Sequence, residues 1–213
     1  MPSLLLELEL TACPVVLVGL GAVGRRRLQL LLEAGARVRV IEPQALESAY
    51  TATLPEAVTL VQAAYEAGQL AGARLVFAAA TPQVNCRVAE DAQRLGIWVN
   101  VASDPCAGTL RVPALWRDGP VQLAVTTGGA SPSLAALART RAAEAIGFAP
   151  GKLAALLAEL RPLVLARIAD PQVRAALFKR WAEPEWLQKI EQEGAELVRQ
   201  RLLEEIKRVA SGV

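Results

Sequence analysis

PVVLVGLGAVGRRRLQLLLEAGARVRVIEP, residues 14–43, reads as an apolar strand, a glycine-rich turn, a helix, a glycine stop and a second apolar strand ending in an acid. Gly19, Gly21 and Gly24 set a G-x-G-x-x-G spacing. In that pattern the first glycine makes the tight turn and the second lets a pyrophosphate approach the backbone. The third lets the helix sit close to the strand. The helix start adds free N–H groups and a positive dipole end. Three glycines alone are a weak signal. Strand, turn, helix and acid in this order predict a nucleotide-binding unit. Glu42 stands about 20 residues beyond the turn, where an acid accepts hydrogen bonds from the adenosine ribose. Such an acid repels the 2′-phosphate of NADP, so NAD is the expected cofactor. The competing reading is a solvated strand-end carboxylate, and Arg37 and Arg39 nearby weaken the preference for NAD.

Outward from this stretch the alternation continues. Residues 58–61 and 74–80 read as strands, 83–95 as a helix with Val84, Val88, Ala92 and Leu95 near one face, and 97–102 as a further strand. Continuous apolar runs of this kind fit a parallel strand covered on both faces. Strand–helix alternation predicts a doubly wound parallel sheet with right-handed crossovers. Residues 4–10 suit an edge strand or a lead-in, and residues 48–55 a connection. After Asp104 the pattern changes: residues 109–116 and 121–127 flank Arg117-Asp118-Gly119-Pro120, where Asp-Gly signals a hairpin. Ser131 and Pro132 then open an Ala-rich helix as N-cap and first helical residue. Beyond Gly151 only helices are expected. Pro162 should kink or divide one of them, Asp170-Pro171 and Glu183-Pro184 should start others, and a stripe from Trp186 to Val209 belongs to the last. The fold class is therefore α/β: a Rossmann-type sheet over residues 1–108, a hairpin and helix region over 109–149, and an all-helical region over 150–213.

The chain has 213 residues, 23 Lys plus Arg against 21 Asp plus Glu, and no histidine. A near-balanced charge offers no electrostatic case for nucleic acid. No run approaches the roughly 18 apolar residues of a membrane span, and the acidic N-terminal stretch lacks the basic start of a signal peptide. Cys13, Cys86 and Cys106 are few, odd in number and not at metal spacing. A cytoplasmic protein is expected. The missing histidine excludes Ser-His-Asp and Cys-His catalysis, so proton transfer falls to Asp, Glu, Cys, Lys, Tyr or water.

Several residues carry alternatives. Arg25, Arg26 and Arg27 crowd the first turn of a helix, where cations oppose the dipole. They either face an anionic ligand, pyrophosphate or carboxylates, or form a solvated basic face. Ala80 and Thr81 follow a strand's carboxyl end, as does the run from Asn100 to Cys106, and ligands of open α/β sheets bind there. Asp104 is the only carboxylate of that second loop: a base or metal ligand, or a turn cap. Cys106 reads as an inert thiol rather than a soft ligand. Gly128, Gly129, Ala130 and Ser131 either present N–H groups to an anion or simply cap a helix.

With these pieces in place, the sequence resembles the precorrin-2 dehydrogenase/sirohydrochlorin ferrochelatase family, the N-terminal part of siroheme synthases. The matching stretches are VVLVGLGAVGRRRLQLLLEAGARVRVI, LVFAAATPQVNCRVAEDA, VNVASDPCAGTLRVPAL and VQLAVTTGGASPSLAALAR. The methyltransferase module of longer siroheme synthases is not matched, which corresponds to the stand-alone form. The resemblance implies NAD-dependent dehydrogenation of precorrin-2 to sirohydrochlorin, insertion of Fe²⁺ or Co²⁺, and a homodimer formed by the region after the Rossmann part. It implies that Ala22, Val23, Pro43 and Thr81 line the NAD site beside Gly19 and Gly21. A tetrapyrrole with eight carboxylates gives Arg25, Arg26, Gly128, Gly129 and Ser131 a substrate to bind. The family motif resembles Asn-Val-x-Asp-x-Pro, its aspartate serving dehydrogenation and chelation. Here the run is Asn100-Val101-Ala102-Ser103-Asp104-Pro105, so Ser103 holds the aspartate position and Asp104 follows it. The catalytic candidates are Asp104 and Ser103, the metal candidate is Asp104, and chelatase activity is expected to be weak or absent. That departure also motivates a second reading, a non-catalytic NAD(H)-binding sensor.

Overall fold

The computed structural model describes residues 3–104 and 107–211. By its contacts the chain divides into two compact units, Met1–Val112 and Pro113–Val213. In the first, β1 (Pro14–Val18), β2 (Arg37–Ile41), β3 (Val58–Val61), β4 (Leu75–Ala78) and β5 (Trp98–Val101) form a parallel sheet in the order β3-β2-β1-β4-β5. The doubly wound topology read from the alternation is the one observed. Along β1, Val15 and Leu17 pack with Leu28 and Leu31 of helix α1 (Ala22–Glu33). The intervening Val16 and Val18 pack on the other face with Val88 and Ala92 of a later helix, Pro82–Arg94. Alternate residues thus serve opposite cores, which is why the strand is apolar throughout. The strand order reverses between β1 and β4, and the crevice outside their carboxyl ends is where ligands of such sheets bind.

Local chemistry explains the element ends. Gly35, at φ +77°, follows the last turn of α1 and stops it. Residues 48–55 contain one helical turn, α2 (Ser48–Thr51), where only a connection was expected. The next helix, α3 (Pro82–Arg94), has proline in its first turn and Thr81 as N-cap. Its buried face is Asn85, Val88, Ala89, Asp91 and Ala92. Leu95, expected on that face, is instead 57% exposed. It is the C-cap residue, beyond the stripe. Residues 4–10 form no strand: Leu4 and Leu6 are exposed, and only Leu10 reaches the core. After β5 the chain returns along it, with Thr109 and Leu110 N–H both donating to the Val99 carbonyl.

The second unit holds the hairpin β6 (Ala114–Asp118) and β7 (Val121–Val125), then α4 (Pro132–Ile146), α5 (Ala149–Arg167), α6 (Pro171–Trp181), α7 (Pro184–Glu193) and α8 (Ala195–Ala210). Asp118 pairs with Val121, so the turn centre is Gly119-Pro120 rather than Asp-Gly. The reason is proline's fixed negative φ, which forbids a type I′ turn containing Pro120. Gly119 at φ +54° followed by proline suits type II′. Ser131 caps α4 as read, its hydroxyl accepting from Leu134 N–H at 3.1 Å. Asp170 likewise caps α6, at 2.7 Å from Gln172 N–H.

Of the helical expectations, one loses an alternative and one is corrected. Pro162 does not divide α5. Leu160 and Val164, on either side of it, are both buried in the helical core, and this packing outweighs the missing hydrogen bond. The stripe from Trp186 to Val209 spans two helices, because Gly194 at φ +87° breaks them apart. Leu197 lies off the stripe, 50% exposed. The core of this unit centres on Trp181, fully buried, whose indole N–H donates to Glu205 at 2.6 Å.

Candidate active site

The turn between β1 and α1 is built from glycine for three different reasons. Gly19 has φ +92°, and a Cβ there would sit 2.7 Å from the backbone of Ala79 and Ala80. A Cβ on Gly24 would lie 2.1 Å from the Gly19 carbonyl oxygen. These two positions are closed by the protein itself. At Gly21 an added Cβ meets nothing within 4 Å, and φ −65°, ψ −170° borders extended backbone. Gly21 is therefore small toward the outside, where a phosphate would approach. Gly21 is the N-cap of α1 and supplies no side-chain cap, so the first N–H groups of the helix keep their capacity to donate to an anion. Gly21, Ala22 and Val23 are exposed at this end, and Pro43 is exposed beyond β2.

Glu42 closes the turn from the neighbouring strand. One carboxylate oxygen accepts from Leu20 N–H at 2.7 Å, the other from Gln44 N–H at 3.1 Å. A carboxylate accepts at about four lone-pair positions, so two backbone bonds orient Glu42 and leave acceptor capacity for ribose hydroxyls. This arrangement fits an adenosine dinucleotide. Arg25 folds back over the same turn, donating to the Leu20 carbonyl at 3.3 Å, with its guanidinium 4.1 Å from the Tyr50 ring centroid. Arg26 is exposed. Arg27 is partly buried, and burial together with the adjacent Arg26 charge pulls its pKa below the usual arginine range.

Across the strand-order reversal, the loop after β4 carries Ala80 and Thr81 and the loop after β5 carries Ser103 and Asp104. Thr81 is exposed, its hydroxyl accepting from Val84 N–H at 3.4 Å. Ser103 and Asp104 are both exposed, and the Asp104 carbonyl accepts from Ala107 N–H in a turn. Pro105 and Cys106 lie outside the described residues. Among the described residues, no group of three or more His, Cys, Asp and Glu is placed to hold a metal ion.

Asn85, which no sequence motif marks, lies between the two loops. It is 1% exposed, accepts from Ala80 N–H at 2.9 Å and donates to the Ser103 hydroxyl at 3.0 Å. The available signal was a polar residue at helical spacing from Val88, Ala89 and Ala92 on an apolar stripe.

Gly19, Gly21, Ala22, Val23, Glu42, Pro43, Ala80, Thr81, Ser103, Asp104, Arg25 and Arg26 all belong to the first unit. Gly128, Gly129 and Ser131 belong to the second. There, Gly128 N–H donates to Thr126, and the Ala130 and Ser131 N–H groups both donate to Thr127. Three of the four N–H groups read as anion donors are thus spent inside the turn. A cavity of ≈ 700 Å³ opens near Pro14, Arg37, Thr59 and Gly72. That is the amino end of the strands, opposite the crevice, so we place the site at the glycine turn instead.

Fold and turn together define a dinucleotide-binding α/β protein of Rossmann type. Residues 6–114 match the family described as "Putative NAD(P)-binding". The chain is 40% identical over 177 residues to a siroheme synthase of Methylococcus capsulatus, covering 83% of this chain and 37% of that protein. It is 39% identical over 171 residues to a siroheme synthase of Nitrosospira multiformis, covering 78% and 36%. The chain thus spans little more than a third of the length of these relatives. The solved structure of SirC, precorrin-2 dehydrogenase, has the same fold, with a TM-score of 0.78 at 19% identity over 97% of this chain and 100% of that one. The chain belongs to this NAD(P)-binding family.

Proposed function

We propose that this chain is an NAD-dependent dehydrogenase that converts precorrin-2 to sirohydrochlorin, with weak or absent ferrochelatase activity. What carries the reading is one conjunction: a dinucleotide turn open only at Gly21, on a chain similar to siroheme synthases over 83% of its length. NAD, when bound, supplies the acceptor for the hydride taken from the tetrapyrrole.

The chain's own residues do the rest. The N–H groups of Ala22 and Val23 at the start of α1 hold the pyrophosphate. Glu42, oriented by Leu20 and Gln44, receives the ribose hydroxyls and turns away a 2′-phosphate. Ala80 and Thr81, with Pro43, border the cofactor. Ser103 and Asp104 face the substrate, and Asp104, the only carboxylate between residues 97 and 110, takes the proton that leaves with the hydride. Arg26, with Arg25, meets substrate carboxylates. Chelation by Fe²⁺ or Co²⁺ insertion is weak in this proposal because Ser103 replaces the family's aspartate. The active form is a cytoplasmic homodimer, an assembly that would cover the exposed Leu134 and Leu137 of α4 and the neighbouring Phe148. Among the described residues, no helix is long and apolar enough to cross a membrane.

Anaerobic incubation with precorrin-2 and NAD is expected to yield NADH and the sirohydrochlorin spectrum together. Absence of NADH under conditions where an authentic dehydrogenase turns over refutes the proposal. Tight NAD(H) binding without turnover would support the sensor reading instead.

A further inference from the structure

Asn85 is a buried side chain that bonds to both crevice loops. Its carboxamide can be oriented in only one way. The Ala80 N–H is a donor, so the atom 2.9 Å from it must be the amide oxygen Oδ1. Nδ2 then has two hydrogens to place, and the structure gives each an acceptor: the Ala80 carbonyl at 3.3 Å and Ser103 Oγ at 3.0 Å. The group has no lone pair to offer on that side. Ser103 Oγ must therefore accept from Asn85, and its own hydroxyl hydrogen is directed elsewhere.

We infer that Asn85 is a positioning residue that locks the loop after β4 to the loop after β5 and holds the Ser103 hydroxyl as a hydrogen-bond donor toward the crevice; the effect on turnover rests on the dehydrogenase reading. Two consequences follow. The Ala80-Thr81 edge of the cofactor site and the Ser103-Asp104 edge of the substrate site move as one piece. Ser103 serves as a donor, suited to a carbonyl or carboxylate oxygen, and does not act as the base. That leaves Asp104 to receive the proton.

The test uses Asn85→Ala, Asn85→Asp, Ser103→Ala and the double variant Asn85→Ala/Ser103→Ala. Asn85→Asp keeps the volume and the bond from Ala80 N–H but has no hydrogen to give Ser103 when ionised. Backbone hydrogen exchange is followed in the cofactor-free protein, and kcat and KM are measured with NAD and precorrin-2. In Asn85→Ala, residues 79–81 and 102–104 are both expected to exchange at least tenfold faster. The kcat of Asn85→Ala, Asn85→Asp and Ser103→Ala should each fall about tenfold. The KM for NAD should change less than threefold, because the Gly19–Glu42 turn is intact. The double variant should be no slower than the slower single variant. Faster exchange confined to residues 79–81 overturns the coupling. A roughly hundredfold loss in the double variant, or wild-type kcat in Asn85→Asp, overturns the donor assignment. If Asn85→Ala does not fold, Asn85→Asp carries the kinetic arm and Asn85→Ser, whose side chain is too short to bridge the two loops, carries the exchange arm. Wild-type protein inactive on precorrin-2 refutes the functional reading alone, since the exchange experiment needs no substrate.

Discussion

Replacing Gly21 with alanine should separate folding from cofactor binding, and replacing Gly24 should do the reverse. At Gly21 the new Cβ meets no protein atom within 4 Å, and the backbone is one an L-residue can adopt. Gly→Ala at a compatible position reduces unfolded-state entropy and stabilises by about 0.4–1 kcal/mol. The melting temperature of Gly21→Ala should therefore be unchanged or slightly raised. The methyl occupies the side on which a pyrophosphate would rest, displacing it from the α1 N–H groups. Loss of one hydrogen bond to a charged group costs about 1.5–3 kcal/mol, so the Kd for NAD should rise about 10- to 150-fold at 1.4 kcal/mol per decade. In Gly24→Ala the Cβ would stand 2.1 Å from the Gly19 carbonyl oxygen, so backbone must move. Overpacking of that kind costs about 1–3 kcal/mol. In a unit of this size that lowers Tm by about 4–8 °C per kcal/mol. Thermal melts and calorimetric NAD titrations of both variants decide the matter. NAD binding by Gly21→Ala equal to wild type would refute the placement of the phosphates, and a Gly24→Ala protein as stable as wild type would refute the packing argument.

Glu42→Gln keeps an oxygen for Leu20 N–H but loses the charge, so the ratio of Kd for NADP to Kd for NAD should fall at least tenfold in paired titrations. Tyr65 is buried and donates to Asp91 at 2.9 Å. Burial first, and the Asp91 bond and charge next, raise its pKa well above 10. The folded protein then keeps a proton that the unfolded chain releases, so this contribution is constant below pH 10 and is lost as pH rises beyond it. Tyr65→Phe should cost about 1.5 kcal/mol at neutral pH and flatten the alkaline fall in denaturant-measured stability. Gly194 joins α7 to α8 at φ +87°, ψ +163°, a region essentially reserved for glycine. Gly194→Ala should lower the stability of the second unit by about 1–3 kcal/mol, read from urea unfolding followed by tryptophan fluorescence.

How much of this was legible in the chain depends on how far apart the interacting atoms lie. The glycine turn, the strand–helix alternation and the Ser131 cap are signals spelled within a few residues, through sterics and hydrogen bonds that any such peptide obeys. The stop at Gly35 is of the same kind. The turn at Gly119-Pro120 was misplaced by one residue because the Asp-Gly signal outweighed the constraint of the following proline. Pro162 and Gly194 went the other way: both are local signals, but in one case packing of Leu160 and Val164 overrode the break, and in the other a single positive φ split an otherwise continuous stripe.

The functional site shows the same division. Sequence alone determined that this protein has a dinucleotide turn with Glu42 at the right distance, because strand, turn and helix are consecutive and their spacing is set by backbone geometry. Only the tertiary structure decided what those residues do to one another. Glu42 reaches Leu20 because β2 lies beside β1, and Arg25 stacks on Tyr50, a residue of α2 far from it in sequence. Asn85 holds Ala80 and Ser103 because β4 and β5 are neighbours past the point where the strand order reverses. These partners are set by which strands pair, a choice made by burying both faces of the sheet, and no short stretch of sequence contains it.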